Sequence, residues 1–183
     1  IDEVQSGAGR TGTLFAYEQF AIKPDIMCCA KGIGGGIPIG AILTSSKIAD
    51  CMQLGSHGST FGGNPLACAV AVEVMNLLSK KTLLNGVLKK EKIFTQELDN
   101  INKEFKCFSE IRSAGLWIGC KLNTTNSFNL DSVMKACYEK GLMILKANNN
   151  TIRIAPSLII EDNVILKGLA ILREAIHSQL QEL

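Results

Sequence analysis

The feature that most constrains this chain is a glycine-rich first third in which short apolar runs stop at turns. Most of the 17 glycines fall before residue 64, around apolar runs at 1–4, 24–30 and 37–44. Runs of roughly four to eight apolar residues bounded by turn signals suit buried strands and are too short for core helices. Between the first two, Leu14-Phe15-Ala16-Tyr17-Glu18-Gln19-Phe20 reads as a short helix. Pro24 stops it, because its ring disfavours helical geometry at Lys23. Strand, helix and strand make a candidate βαβ unit. The texture changes at Asn64-Pro65, where an uninterrupted run of apolar and helix-forming residues over 66–78 begins. Asn64 can cap that helix with Pro65 at its first position.

From residue 80 lysine and asparagine become more frequent and glycine thins out. The shift places a boundary there, with one domain over 1–79, including the helix that leads out of it, and a second over 80–183. Leu83, Leu84, Val87, Leu88, Ile93 and Leu98 form a helical stripe, and the segments 108–112 and 115–122 read as paired strands. A helix is expected from Asp131 through Tyr138, ending at Gly141. Segments 142–146 and 151–155 flank the polar turn Asn148-Asn149-Asn150, and an amphipathic helix follows from Ile160. Together these describe a small α+β domain, with no internal repeat.

Hydrophobic residues make up 46% and charged residues 20%, which is the balance of a folded globular protein. The net charge of +2 comes without any basic run, so neither nucleic acid nor an anionic membrane is the expected partner, and a small molecule is. No apolar run reaches the ~18 residues of a membrane-spanning helix, and the start at Ile1-Asp2-Glu3 lacks the basic region of a signal peptide. Opening inside a strand without Met, the chain reads as the later part of a longer polypeptide. The seven cysteines are odd in number and form no C-x-x-C pair, and most sit in apolar segments as small hydrophobes. A reducing cytoplasm is expected. Only His57 and His177 are available as imidazole ligands, so no metal site is expected.

Three glycine-rich segments compete for chemistry. Gly7-Ala8-Gly9-Arg10-Thr11-Gly12 matches the dinucleotide fingerprint G-x-G-x-x-G, which would make the chain an oxidoreductase. The acid expected about 20 residues on has only Asp25 as a candidate, at the start of a strand. Residues 32–36 are no Walker loop, since no Gly-Lys-Ser/Thr follows. Gly58-Ser59-Thr60-Phe61-Gly62-Gly63 can place amides and hydroxyls around a phosphate. Lys31 closes an apolar strand and precedes Gly-Ile-Gly-Gly-Gly, where something bulky can approach. Partial burial there would lower its pKa and free an amine for Schiff-base chemistry. A surface lysine and a solvated Asp2 are the plain alternatives. Taken together, though, Asp2, Lys31 and Ser59-Thr60 offer a carboxylate for a ring nitrogen, an amine for an aldehyde and donors for a phosphate, which is what pyridoxal phosphate needs.

These segments carry a resemblance. Asp2-Glu3-Val4-Gln5-Ser6-Gly7, Gly9-Arg10-Thr11-Gly12, Pro24-Asp25, Ala30-Lys31-Gly32-Ile33-Gly34-Gly35-Gly36-Ile37-Pro38-Ile39-Gly40-Ala41 and His57-Gly58-Ser59-Thr60-Phe61-Gly62-Gly63-Asn64-Pro65 resemble the class III pyridoxal-phosphate aminotransferases, in order. Phe108-Ser109-Glu110-Ile111-Arg112, Gly115-Leu116-Trp117-Ile118-Gly119-Cys120 and Ile152-Arg153-Ile154-Ala155-Pro156-Ser157-Leu158 are most similar to that family's bacterial acetylornithine/succinyldiaminopimelate branch.

The resemblance implies an α/β chain of PLP-dependent transferase fold type I, comprising the later part of the large domain and the small C-terminal domain. It implies an aldehyde-holding Lys31, Asp2 at the pyridine nitrogen, Val4 on a ring face and Gln5 at the ring hydroxyl. Ser59 and Thr60 would hold the cofactor phosphate of the neighbouring subunit in a homodimer, and Arg153 the substrate α-carboxylate, to which its planar fork is suited. The amino group of N-acetylornithine, and also of succinyl-diaminopimelate, would pass to 2-oxoglutarate, in arginine and lysine biosynthesis. An ion pair between Asp2 and a pyridinium at ~4 Å would be worth about 4 kcal/mol at an effective dielectric near 20. Ornithine, 4-aminobutyrate and succinylornithine enzymes share these residues, and an inactive remnant is a further alternative. The family's Arg-Gly-x-Gly turn departs here to Arg112-Ser113-Ala114-Gly115.

Overall fold

The run 24–30 becomes β1 (Ile26–Ala30) and the run 37–44 becomes β2 (Gly40–Thr44), paired antiparallel with Ile26 opposite Thr44 and Ala30 opposite Gly40. This is a computed structural model, and it describes residues 1–123 and 129–181. The segment 1–4 does not form a full strand. It contributes one parallel bridge, Asp2 to Cys28, in which the Cys28 amide donates to Ile1 O at 2.9 Å and the Glu3 amide to Cys28 O at 2.7 Å. The expected helix over 14–20 is a 3-10 turn, Ala16–Phe20, closed by Ala21 in the left-handed region (φ 51°). The βαβ expectation is thereby corrected: the parallel relation survives at one bridge, and the crossover is a short turn with no α-helix.

A second 3-10 turn, Lys31–Gly34, leaves β1, and the four-residue α1 (Ser46–Ala49) follows β2. Helix α2 (Pro65–Leu78) starts where the sequence places it. Asn64 is extended (φ −62°, ψ 143°), and its Oδ1 accepts the Ala67 amide at 2.9 Å, with Pro65 in the first turn.

The chain divides into two compact units, Ile1–Asn85 and Gly86–Leu183, and the division falls within α3 (Lys81–Phe105). In the second unit α3 buries Val87, Phe94, Leu98 and Ile101, one stripe at helical spacing. The strands β3 (Phe108–Ala114), β4 (Trp117–Leu122), β5 (Leu145–Ala147) and β6 (Thr151–Ile154) form an antiparallel sheet in the order β3-β4-β6-β5. Gly115, at φ 58°, makes the β3–β4 turn. Asn149 and Asn150 take left-handed conformations between β5 and β6, which asparagine tolerates best among residues with a side chain. On β4, Ile118, Cys120 and Leu122 alternate into the core.

Helix α4 (Leu130–Glu139) is capped by Asn129, whose Oδ1 accepts the amides of Asp131 and Ser132. Helix α5 (Asp162–Gln181) buries Ile165, Leu169, Leu172, Ala175 and Ile176. Ser113 stands in a regular ladder opposite Ile118, so the departure there leaves the β3–β4 pairing intact.

All seven cysteines are free. Cys29, Cys107, Cys120 and Cys137 are buried as expected of small hydrophobes, but Cys51 and Cys68 are exposed. Among the described residues no helix is long and apolar enough to cross a membrane.

Candidate active site

Extended backbone sends Asp2 and Glu3 to opposite faces. Glu3 points inward and is only 3% exposed. Its Oε1 accepts the Tyr17 amide at 2.8 Å, its Oε2 accepts the Ser6 hydroxyl, and its carbonyl accepts the Gly7 amide at 3.0 Å. A buried carboxylate with donors on both oxygens anchors the segment. Asp2 is left on the exposed face, where its Oδ1 accepts the Val4 amide at 2.8 Å. Sequence reading weighed Glu3 only as a neighbour of Asp2. The signal for its anchoring role was its alternate position, together with the hydroxyl of Ser6 three residues on.

Three residues beyond each partner of the Asp2–Cys28 bridge stand Gln5 and Lys31. The Lys31 Nζ donates to Gln5 Oε1 at 3.0 Å. The two side chains thus meet at the carboxyl ends of parallel neighbours, the place where open α/β sheets bind ligands. Lys31 has φ +47°, a left-handed conformation that costs a residue with a Cβ about 1 kcal/mol or more. Its side chain is exposed, so the partial burial expected to free its amine is not supplied by the described residues of this chain. The turn after it needs glycine, because Gly35 sits at φ +55° and a Cβ there would come 2.8 Å from Val74 of α2. Val4 and Gln5 are half-buried.

The dinucleotide alternative fails on hydrogen bonding. In the loop 7–12 the Gly9 amide donates to Leu14 O, the Arg10 amide to Gly7 O and the Gly12 amide to Gly9 O. Most of the loop's amides are thereby engaged and cannot cradle a pyrophosphate, and a five-residue 3-10 turn follows where a helix N-terminus is required.

Ser59 and Thr60 lie on an exposed segment that leads to the capping Asn64, whose Nδ2 donates to Phe61 O at 2.9 Å. Among the described residues no hydrogen bond joins either hydroxyl to Asp2, Gln5 or Lys31.

The second unit contributes Arg153 on β6, between Leu145 of β5 and Gly119 of β4. Its neighbour Ile152 faces the core at 0% exposure, and Arg153 takes the other face. Its Nε is the one buried side-chain nitrogen or oxygen without a hydrogen-bond partner among the described residues. Arg153 also lines a cavity of about 460 Å³ with Met143, Leu145, Pro156, Ile160 and Val164. A buried donor left unmatched costs about 1–3 kcal/mol, and a carboxylate is the group whose geometry satisfies it.

The donor set therefore fits pyridoxal phosphate in part: amine, carboxylate and neutral amide come together in the first unit, and an unmatched guanidinium stands in the second. The phosphate donors are present in the sequence but are not gathered with them.

Comparison with known proteins agrees. The family model described as aminotransferase class-III matches residues 1–176. The chain is 49% identical over 169 residues to the acetylornithine/succinyldiaminopimelate aminotransferase of Buchnera aphidicola, covering 92% of this chain and 41% of that protein. It is 46% identical over 182 residues to the succinylornithine transaminase of Yersinia pseudotuberculosis, covering 100% of this chain and 44% of that one.

Among solved structures, the N-acetylornithine aminotransferase of Stenotrophomonas maltophilia superposes with a TM-score of 0.88 at 37% identity, over 100% of this chain and 47% of that one. The ornithine aminotransferase of Toxoplasma gondii, described with partial occupancy of PLP at its active site, superposes with a TM-score of 0.86 at 30% identity, over 99% and 43%. The chain thus spans less than half the length of the relatives it matches.

Proposed function

The chain belongs to the class-III aminotransferase family, and on that premise we propose that it forms part of a pyridoxal 5'-phosphate-dependent transaminase. Its donor is N-acetylornithine, with succinyl-diaminopimelate as a further one, its acceptor is 2-oxoglutarate, and it serves arginine and lysine biosynthesis in the cytoplasm. The observation that carries this reading is the Lys31 amine held 3.0 Å from Gln5, with Asp2 on the adjoining bridge.

Pyridoxal phosphate, when bound, supplies an electron sink for a substrate carbanion. Everything else falls to this chain's side chains. Lys31 would hold the aldehyde, and its free Nζ would take the proton from the substrate Cα as a base and return it as an acid. Asp2 holds the ring nitrogen protonated through its negative charge. Gln5 meets the ring hydroxyl, and Val4 excludes water from one ring face. Ser59 and Thr60 donate to the phosphate held by a second copy, so the working unit is a homodimer. Arg153 grips the substrate α-carboxylate with its planar fork of N–H donors.

A second donor has comparable support: the succinylornithine transaminase matches over 182 residues at 46%, against 49% over 169 for the acetylornithine relative. The test is a borohydride trap followed by a donor panel. Incubation with pyridoxal phosphate and reduction should place the label on Lys31, with turnover on acetylornithine above that on succinylornithine, ornithine or 4-aminobutyrate. No label on Lys31 overturns the reading. Turnover of 4-aminobutyrate without acetylornithine overturns the donor.

A further inference from the structure

Taking Lys31 as the aldehyde-holding amine, we propose that the loop 7–12 is the positioning device for that lysine: Ala8 presses on Gly32 and sets the left-handed turn that aims Nζ at Gln5. Four of the loop's six amides are already engaged, Gly7 with Glu3 O, Gly9 with Leu14 O, Arg10 with Gly7 O and Gly12 with Gly9 O. The Ala8 methyl stands against Gly32, and Ala8 is 7% exposed. A Cβ built on Gly32 would stand 2.8 Å from that methyl, closer than two carbon atoms can rest.

Glycine is therefore required at position 32 by the loop, and the loop's own geometry is matched to it. Ala8 (φ 55°) and Lys31 (φ 47°) are both left-handed residues with side chains, and they flank this single contact. Such conformations persist only where packing over-determines them.

The loop is in turn fixed to the segment that carries Asp2 and Gln5. The Gly7 amide donates to Glu3 O, and both Glu3 carboxylate oxygens are held. One short segment thus grips the lysine at two points. Ala8 sets its backbone through Gly32, and Gln5, three residues earlier, accepts its Nζ. An exposed, flexible side chain gains a fixed aim without being buried, which matters because misplacement of a reacting group by about 1 Å can cost on the order of a hundredfold in rate.

The experiment compares two aldehydes on the full chain. With pyridoxal phosphate the Lys31 amine condenses with loss of one water, and hydride from borohydride reduces the C=N bond to a stable secondary amine. Peptide mass spectrometry reads the rate at Lys31. Formaldehyde with cyanoborohydride modifies any exposed amine by the same balance and needs no aim.

Gly32→Ala should slow pyridoxal phosphate incorporation at Lys31 about tenfold, with formaldehyde labelling unchanged and Tm lowered by the overpacking. Moving the methyl across the contact in Ala8→Gly/Gly32→Ala should restore the rate. Gln5→Leu, which leaves the contact alone, should slow incorporation several-fold at constant Tm. Wild-type rates in Gly32→Ala, or equal slowing with both aldehydes, would overturn the proposal. Should Gly32→Ala not fold, Ala8→Gly alone decides: slower incorporation at unchanged Tm supports the grip, and a wild-type rate sinks it. Wild-type protein that takes formaldehyde but no pyridoxal phosphate on Lys31 would instead refute the aminotransferase reading.

Discussion

The two units treat similar apolar content in opposite ways. In the second, Val87, Leu98, Leu122, Val133, Ile152 and Ile176 are fully buried. In the first, β2 carries Ile42 and Leu43 at 61% and 45% exposure, and α2, apolar almost all round, buries only Ala67 and Leu78. One-sided elements complete a core with a few neighbours, whereas elements apolar on both sides need cover on both. Of the side chains read as chemical, Asp2, Gln5 and Lys31 sit in the sparsely buried unit and Arg153 in the other. In the first unit the structure is held by close backbone approaches, by glycine and by the Glu3 carboxylate. Most of the buried core is therefore carried by the second unit, and the lysine-centred chemistry by the first.

That separation can be broken experimentally, and the largest effect comes from its chemical side. Lys31→Ala should lower transaminase turnover of the intact protein by several orders of magnitude without shifting Tm, because the side chain is exposed. A coincident fall in Tm would show that the lysine also supports the fold. Asp2→Asn keeps an acceptor for the Val4 amide and removes the charge. An ion pair worth about 4 kcal/mol corresponds to a loss on the order of a thousandfold in rate, and near-wild-type kcat would contradict its assignment.

The structural side is tested by Leu98→Ala, expected to destabilise by about 2–5 kcal/mol in urea unfolding, against Ile42→Ala, expected within about 0.5 kcal/mol. Equal costs would erase the contrast between the units.

Alkaline pH gives a further difference, because the deeply buried thiols of the second unit titrate late. Burial pushes Cys107 and Cys120 up to about 12 and Cys137 up to about 11. Unfolded thiols titrate near 8.5, so the folded state retains protons that the unfolded state gives up. Stability is complete below that value and falls as pH rises toward 11 to 12. Each thiol adds a slope of up to about 1.4 kcal/mol per pH unit. Urea midpoints between pH 8 and 10.5 should decline, and less so in Cys137→Ala. A further modest effect is Asn64→Ala, which removes the α2 cap at a cost of about 1 kcal/mol, readable as a small drop in Tm.

The second unit was largely legible before any coordinates, because its signals are local and periodic. The stripe from Val87 to Leu98, the β3–β4 pair around Gly115 and the asparagine turn before β6 each follow from spacing or from a residue's own conformational preference. So did the Asn64-Pro65 start of α2. The first unit was harder. Two of its three runs became strands and the run 1–4 only a single bridge, and nothing in a run of apolar residues says whether it pairs parallel or antiparallel; β1 with β2 proved antiparallel. The helix read over 14–20 was a 3-10 turn, since Glu18 reaches back to the Phe15 amide and Ala21 ends the turn.

For the site, residue types and order pointed to Asp2, Lys31 and the Ser59-Thr60 turn, because carboxylate, amine and hydroxyl chemistry is written in the side chain, and the family resemblance added Gln5 and Arg153. Three-dimensional packing supplied the rest. It buried Glu3 and exposed Asp2, left Lys31 in solvent where burial was expected, isolated the Arg153 Nε, and set the Ala8 methyl against Gly32. Each of these depends on atoms distant along the chain coming within a few ångströms of one another, and pairwise distance is the one quantity that a linear string of residue preferences does not contain.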